Sequence, residues 1–190
     1  MSGIFWGLLM VGSPLRLAAA VSLSLVVSAC ASVSDMISGE SAPIPQQAEI
    51  IKPAQPVECV TYAREHSGVD IHGDAVTWWD KAEGHYQRSQ EPSLGSIMVL
   101  TDYAGPKHGH LAVVRAEDSS RVIRVDHANW LNDGAIYLDD PVVDVSPNND
   151  WSAVRVFNPK TGAWGVRTYL VKGFIGPDPA ATSDRVAGNY

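Results

Sequence analysis

Five short apolar runs follow one another in the second half of this 190-residue chain, each set off by turn residues. They are Ser96-Ile-Met-Val-Leu-Thr101, His110-Leu-Ala-Val-Val-Arg115, Val122-Ile-Arg-Val-Asp-His127, Ala135-Ile-Tyr-Leu138 and Trp151-Ser-Ala-Val-Arg-Val-Phe157. Runs of that length, rich in valine and isoleucine and bounded by Gly, Asp, Asn or Ser, predict strands. The turn Glu117-Asp-Ser-Ser120 is short enough to make the second and third an antiparallel hairpin. Two helical stretches come first. Pro56 to Gly68 has proline before its start and glycine where a C-cap falls. Ala75 to Ala82 follows Asp74 as cap and carries Trp78-Trp79, whose apolar area belongs in a core. Helices first and short strands afterwards predict an α+β fold, N-terminal helices packed on an antiparallel sheet of about five to six strands. Gly173 to Pro177 ends the folded part, with room for one last edge strand before it.

The ends of the chain read differently. Residues 1–30 have the pattern of an export signal: Arg16 precedes the apolar segment Leu17–Val27, which is too short to span a bilayer comfortably. The segment ends in Val27-Ser-Ala-Cys30, which resembles a bacterial lipobox and so implies lipidation of Cys30, palmitate included. Ala31 rather than aspartate follows, which favours the outer over the inner membrane. The expected location is therefore the periplasmic side of a bacterial membrane, held there by lipid. Residues 31–56, rich in Ser, Pro, Gln and Ala, have the composition of a tether. The globular part is expected over residues 57–175 and a disordered tail over 176–190. A net charge of -7 without a basic run argues against a nucleic-acid partner.

Cys59 is the first candidate for chemistry. It falls in the first turn of the predicted 56–68 helix, where backbone N–H groups and the positive end of the macrodipole favour thiolate over thiol. The bland alternatives are a small buried hydrophobe or, with Cys30, a disulfide; lipidation of Cys30 would exclude the second. A cysteine nucleophile needs a base, and His110 opens a strand directly after a glycine. The base needs a third group to fix its tautomer. Strand parity puts His127 and Asn129 on the core face with Ile123 and Val125, and puts Asp126 outward unless a bulge resets the register. A zinc site built from Cys59, His108, His110 and His127 is the competing reading, less favoured because His108 lies in a Gly/Pro loop. No metal or cofactor is expected.

Taken together, Cys59-x-x-Tyr62-Ala63-Arg64, Gly73-x-Ala75-x-x-Trp78, Pro92-x-x-Gly95, Gly109-His-Leu-Ala-Val-Val114 and Asn129-Trp130 resemble, in order, the CHAP domain of cysteine, histidine-dependent amidohydrolases and peptidases. The resemblance covers roughly Pro56 to Phe157. It implies a papain-like fold and a thiol amidase or endopeptidase acting on peptidoglycan, with Cys59 as nucleophile and His110 as base. Where the family usually has Glu-x-Asn, this chain has His127-x-Asn129, so the third member is open. His127 is favoured, as in the related NlpC-type peptidases, with Asp126 as the rival. A cell-wall-binding module without catalysis is the alternative function.

Overall fold

The computed structural model describes residues 48–176. The expected export signal with Cys30, the expected tether up to residue 47 and the expected tail from residue 177 lie outside the described residues. Helix α1 (Cys59–Ser67) is followed by a 3-10 turn (Ala75–Thr77) that runs into the short helix α2 (Trp78–Lys81). The strands are β1 (Glu49–Ile51), β2 (Arg88–Ser89), β3 (Ile97–Thr101), β4 (His110–Ser119), β5 (Val122–Ala128), β6 (Ile136–Asp144), β7 (Ala153–Asn158), β8 (Ala163–Trp164) and β9 (Tyr169–Ile175).

The expectation of helices on a five- to six-stranded sheet needs correction. The strands form one nine-stranded antiparallel sheet, and the path β6-β5-β4-β3-β9-β7 closes on itself through the β6–β7 pairing, giving a six-stranded barrel with two short helices beside it. Two features of the chain produce the closure. The last strand is no edge: β9 pairs with β3 on one side and with β7 on the other. And β6 does not stop at Leu138. It continues to Asp144 through a bulge, because Val125 pairs with Asp140 while His127 pairs with Tyr137, so Leu138 and Asp139 of β6 oppose the single Asp126 of β5. Asp139 sits in the bulge with φ 53°. A bulge bends its strand; before it β6 pairs with β1, and after it with β7. Pro141 fits beside the bulge, where the ladder is already interrupted. The chain is thus already paired at Glu49–Ile51, within the stretch whose composition reads as a tether.

Two cores follow from the period-2 alternation of the strands. Met98 and Leu100 of β3, Ala112 and Val114 of β4, Ile123 and Val125 of β5 and Val142 of β6 fill the barrel. Ile97 and Val99, Leu111 and Val113 face outward onto Ala63 of α1, Ala75 and the wholly buried Trp78. β3 and β4 are therefore covered on both faces, which is why their sequences are continuous apolar runs. His110 and His127 have the parity of the barrel interior; the register Val113↔Asp126 makes them diagonal neighbours near its mouth.

Candidate active site

Cys59 is the first residue of α1. Glu58 stands before it in extended conformation, and the first helical bond runs from Tyr62 N to Glu58 O at 3.0 Å. The amides of Cys59, Val60 and Thr61 therefore have no intrahelical acceptor. At the other end Gly68 takes the left-handed conformation, φ 81°, expected of a C-cap. The buried face is Tyr62, Ala63 and Ser67, while His66 stacks on Tyr62 at the exposed side, 4.0 Å between ring centroids. The start of the helix is held by the end of β5. Asn129, at φ 60°, donates from Nδ2 to Glu58 Oε2 at 2.9 Å and accepts at Oδ1 from Gly134 N at 2.9 Å. Gly134 in turn lies so close to Pro56 that a Cβ there would come within 2.5 Å of the proline ring.

His110 is placed by close backbone approach. A Cβ on Gly109 would lie 2.7 Å from Val76 N and 2.9 Å from Leu100 O, so only glycine lets the 3-10 turn, β3 and the start of β4 meet. Both obstructing atoms are backbone, and neither can swing away. Gly109→Ala is expected to move His110 relative to Cys59 and to cost on the order of 100-fold in kcat/KM, with about 1–3 kcal/mol of stability. Steady-state kinetics alongside thermal melting check both effects, and unchanged kinetics would show that the contact does not set His110.

The buried interior carries a row of hydrogen bonds. His110 Nε2 meets His127 Nδ1 at 3.0 Å, and His127 Nε2 meets Asp140 Oδ2 at 3.0 Å. His110 and His127 are each 1 % exposed and Asp140 is fully buried. Trp130 stacks on His127 at 5.2 Å and meets His110 edge-on at 4.9 Å; Tyr103 covers His110 at 4.9 Å and donates its hydroxyl to Trp130 O. The second carboxylate oxygen of Asp140, Oδ1, has no hydrogen-bond partner among the described residues. Since Nε2 of His110 is committed to His127, Nδ1 is the nitrogen left for the cleft.

Cys59 and His110 line one cavity of about 160 Å³ together with Tyr103, His108 and Asn129. A second hollow of about 360 Å³, lined by Cys59, Asp74 and Lys107 among others, shares Glu58, Cys59, His108 and Gly109 with the first. Cys59 thus lies where the two meet. Burial pushes the Cys59 thiol up, and the Glu58 carboxylate adds to the rise; hydrogen bonds from the Leu111, Val60 and Cys59 amides pull against it without reversing it. The helix start therefore does what the sequence predicts, but burial outweighs it. Burial also holds His110 well below its ordinary value, helped by the neighbouring His127. Both shifts favour the neutral forms, thiol and uncharged imidazole, over thiolate and imidazolium.

Of the residues singled out from the sequence, Cys59, His110, His127 and Asn129 are brought to this cleft and its back wall. Among the described residues the Asn129 side chain clasps Glu58 to the Gly134 turn rather than bonding either histidine. Asp126 stands apart: it accepts from Arg115 Nε at 2.6 Å, from the Tyr62 hydroxyl at 3.4 Å and from Asp139 N at 2.9 Å, on the outer face of β5 under α1. The bulge expected to be able to turn Asp126 inward is present, but it lies in β6, and Asp126 is the residue that holds it. Asp140 has no counterpart in the sequence reading. Its signal is weak: Asp139-Asp-Pro141 reads as a turn, and only the apolar residues on both sides, Tyr137 and Val142-Val143, hint that a strand runs through. His108 lines the cleft, but no group of three or more His, Cys, Asp or Glu side chains placed to hold a metal ion occurs among the described residues.

A thiol at an open helix start and an imidazole at the mouth of a barrel, lining one cleft, can carry out acyl transfer at an amide. The family model of the CHAP domain matches residues 52–129 of the chain. The family is one of cysteine, histidine-dependent amidohydrolases and peptidases, in general hydrolases of peptidoglycan. The match ends at Asn129, so β6 and Asp140 lie beyond it. No curated protein and no solved structure matches the chain.

Proposed function

We propose that this chain is a cysteine amidase or endopeptidase that cuts amide bonds of peptidoglycan through a thioester intermediate. The observation that carries the proposal is the shared cleft, with Cys59 and His110 in its lining and His127 3.0 Å behind His110. Sγ of Cys59 attacks the carbonyl carbon while its proton passes to Nδ1 of His110. The carbonyl oxygen takes the negative charge and faces the amides of the first turn of α1, which have no backbone acceptor in the helix. The C–N bond breaks as Nδ1 returns the proton to the leaving amine. Water then gives a proton to Nδ1 and attacks the thioester, and Sγ leaves and takes that proton back. His127 holds the ring of His110 by accepting its Nε2–H. A cysteine on a helix start facing a histidine on a barrel strand also supports the papain-like reading of the fold.

Purified sacculi incubated with the full-length protein are expected to release fragments whose masses name the bond cut. A protein that binds sacculi, releases nothing and has an inert Cys59 would be a wall-binding module instead.

On the same reading Cys30 carries lipid and anchors the domain on the periplasmic side of a bacterial membrane, the outer in preference to the inner. The support is the Val27-Ser-Ala-Cys30 sequence. Cells fed labelled palmitate are expected to label the wild type and not Cys30→Ser, and globomycin is expected to block processing. Equal labelling of both would assign the lipid elsewhere.

A further inference from the structure

We propose that Asp140 is a positioning residue that dictates, through His127, which nitrogen of His110 carries the proton and which is left bare toward Cys59. The inference rests on the proposed roles of Cys59 and His110, but its geometry is independent of the substrate. Each bond in the row His110–His127–Asp140 has one proton to share. A carboxylate can only accept, so ionised Asp140 takes the Nε2–H of His127. That leaves His127 Nδ1 bare, and it takes the Nε2–H of His110. His110 Nδ1 is then bare, which is what a base facing a thiol requires. If Asp140 is protonated it can donate instead, and the row reverses: His127 donates to His110, and His110 presents an N–H to the sulfur, where it cannot act as a base.

Three observations fit a dedicated role. Asp140 is fully buried, and among the described residues the single hydrogen-bond partner of its carboxylate is His127. A buried carboxylate with one oxygen left unpartnered is costly to stability, so its retention points to another use. And its inward direction exists only because the β6 bulge, fastened by Asp126 to Asp139 N, spaces Tyr137 and Asp140 three residues apart on one face. The groups that could share its titration are few. From β5 only His127 faces it, with His110 of β4 beyond; Tyr137 of its own strand donates to Asp133. Tyr103 donates to Trp130 O. β7 and β9 turn Val154, Val156, Val171 and Phe174 inward. Asp126 and Arg115 pair on the outside. Burial raises the carboxyl of Asp140 and its bond to His127 pulls it back, so the reversal falls at a higher pH than for an exposed aspartate.

The test uses the full chain. ¹⁵N spectra of the wild type at neutral pH are expected to show His110 protonated at Nε2 and bare at Nδ1; the opposite tautomer would overturn the proposal, whether or not the protein cleaves sacculi. Acidification is expected to convert His110 to the Nδ1–H form as Asp140 protonates. Asp140→Asn, nearly isosteric, is expected to lower kcat 10- to 100-fold with KM changed less than about threefold, and to move the acid limb of the profile to lower pH. In a His127→Gln background the same change is expected to cost less than about threefold. Equal losses in both backgrounds, or an unchanged His110 tautomer in folded Asp140→Asn, would make Asp140 merely structural. Failure of the wild type to cleave sacculi while the tautomer is as expected would sink the peptidoglycan reading and leave this one standing.

Discussion

Cys59→Ala is expected to abolish fragment release from sacculi while leaving the melting temperature nearly unchanged. The acyl-enzyme cannot form without Sγ, and removing a nucleophile of this kind costs on the order of 10⁵–10⁶ in kcat. The structural cost is small, about 1 kcal/mol, because the side chain is half-buried and its sulfur is held by backbone amides whose other partner can be water. Mass spectrometry of the digest, with circular dichroism as the fold control, separates the two effects. A variant that still released the wild-type fragments would remove Cys59 from the chemistry. The same thiol sets the form of the pH profile. The working form has a neutral imidazole to accept a proton and a thiol to supply it. Protonation takes His110 out of that form, and burial lowers it well below 6.5; ionisation takes Cys59 out of it, and burial raises it from 9.0. With the first group lowered and the second raised, kcat/KM is expected to be flat across neutral pH, falling on the acid side as Asp140 protonates or His110 charges and on the alkaline side as Cys59 ionises.

Much of this site was legible in the sequence because it is local. Proline before and glycine after a short apolar-faced segment mark α1, and Cys59 falls in its first turn whatever the tertiary fold. The glycine before His110 reads as a close approach, and Val76 N and Leu100 O are what it approaches. Parity along Val122–His127 is enough to turn His127 inward. What was not legible depends on which strand edges find one another. Barrel closure needs β9 between β3 and β7, and nothing in Tyr169–Ile175 alone distinguishes that place from an edge. Asp140 was hidden for a related reason. An unbroken period of 2 from Tyr137 would turn Asp139 inward, and the bulge passes that place to Asp140. The bulge is stabilised by Asp126, 13 residues away, an interaction that no window of sequence displays.

The comparison of His110, His127 and Asp126 decides the order of the relay. On the proposed mechanism His110→Ala removes the group that takes the thiol proton and returns it to the leaving amine, and is expected to cost on the order of 10⁴–10⁶ in kcat. His127 acts on substrate only through His110, so its loss is expected to cost less. Alanine is the wrong probe there: it would strand the Asp140 carboxylate in the barrel without a partner, a change worth about 3–5 kcal/mol. Glutamine keeps a donor for Asp140 while deleting the imidazole, and His127→Gln is expected to lower kcat by about 10²–10³, since a lost third member leaves the base present but poorly oriented. Asp126→Ala removes the acceptor of Arg115, Tyr62 and Asp139 N, and the Arg115 pair is partly exposed, so the expected stability loss is only about 1–2 kcal/mol. Its kcat is expected to fall less than that of His127→Gln, and its pH profile to keep the wild-type shape, because Asp126 does not touch the histidines. If Asp126→Ala proved the more damaging to kcat at equal fold content, the carboxylate nearer in sequence would be the orienting group, and the row through His127 would be a structural feature of the barrel.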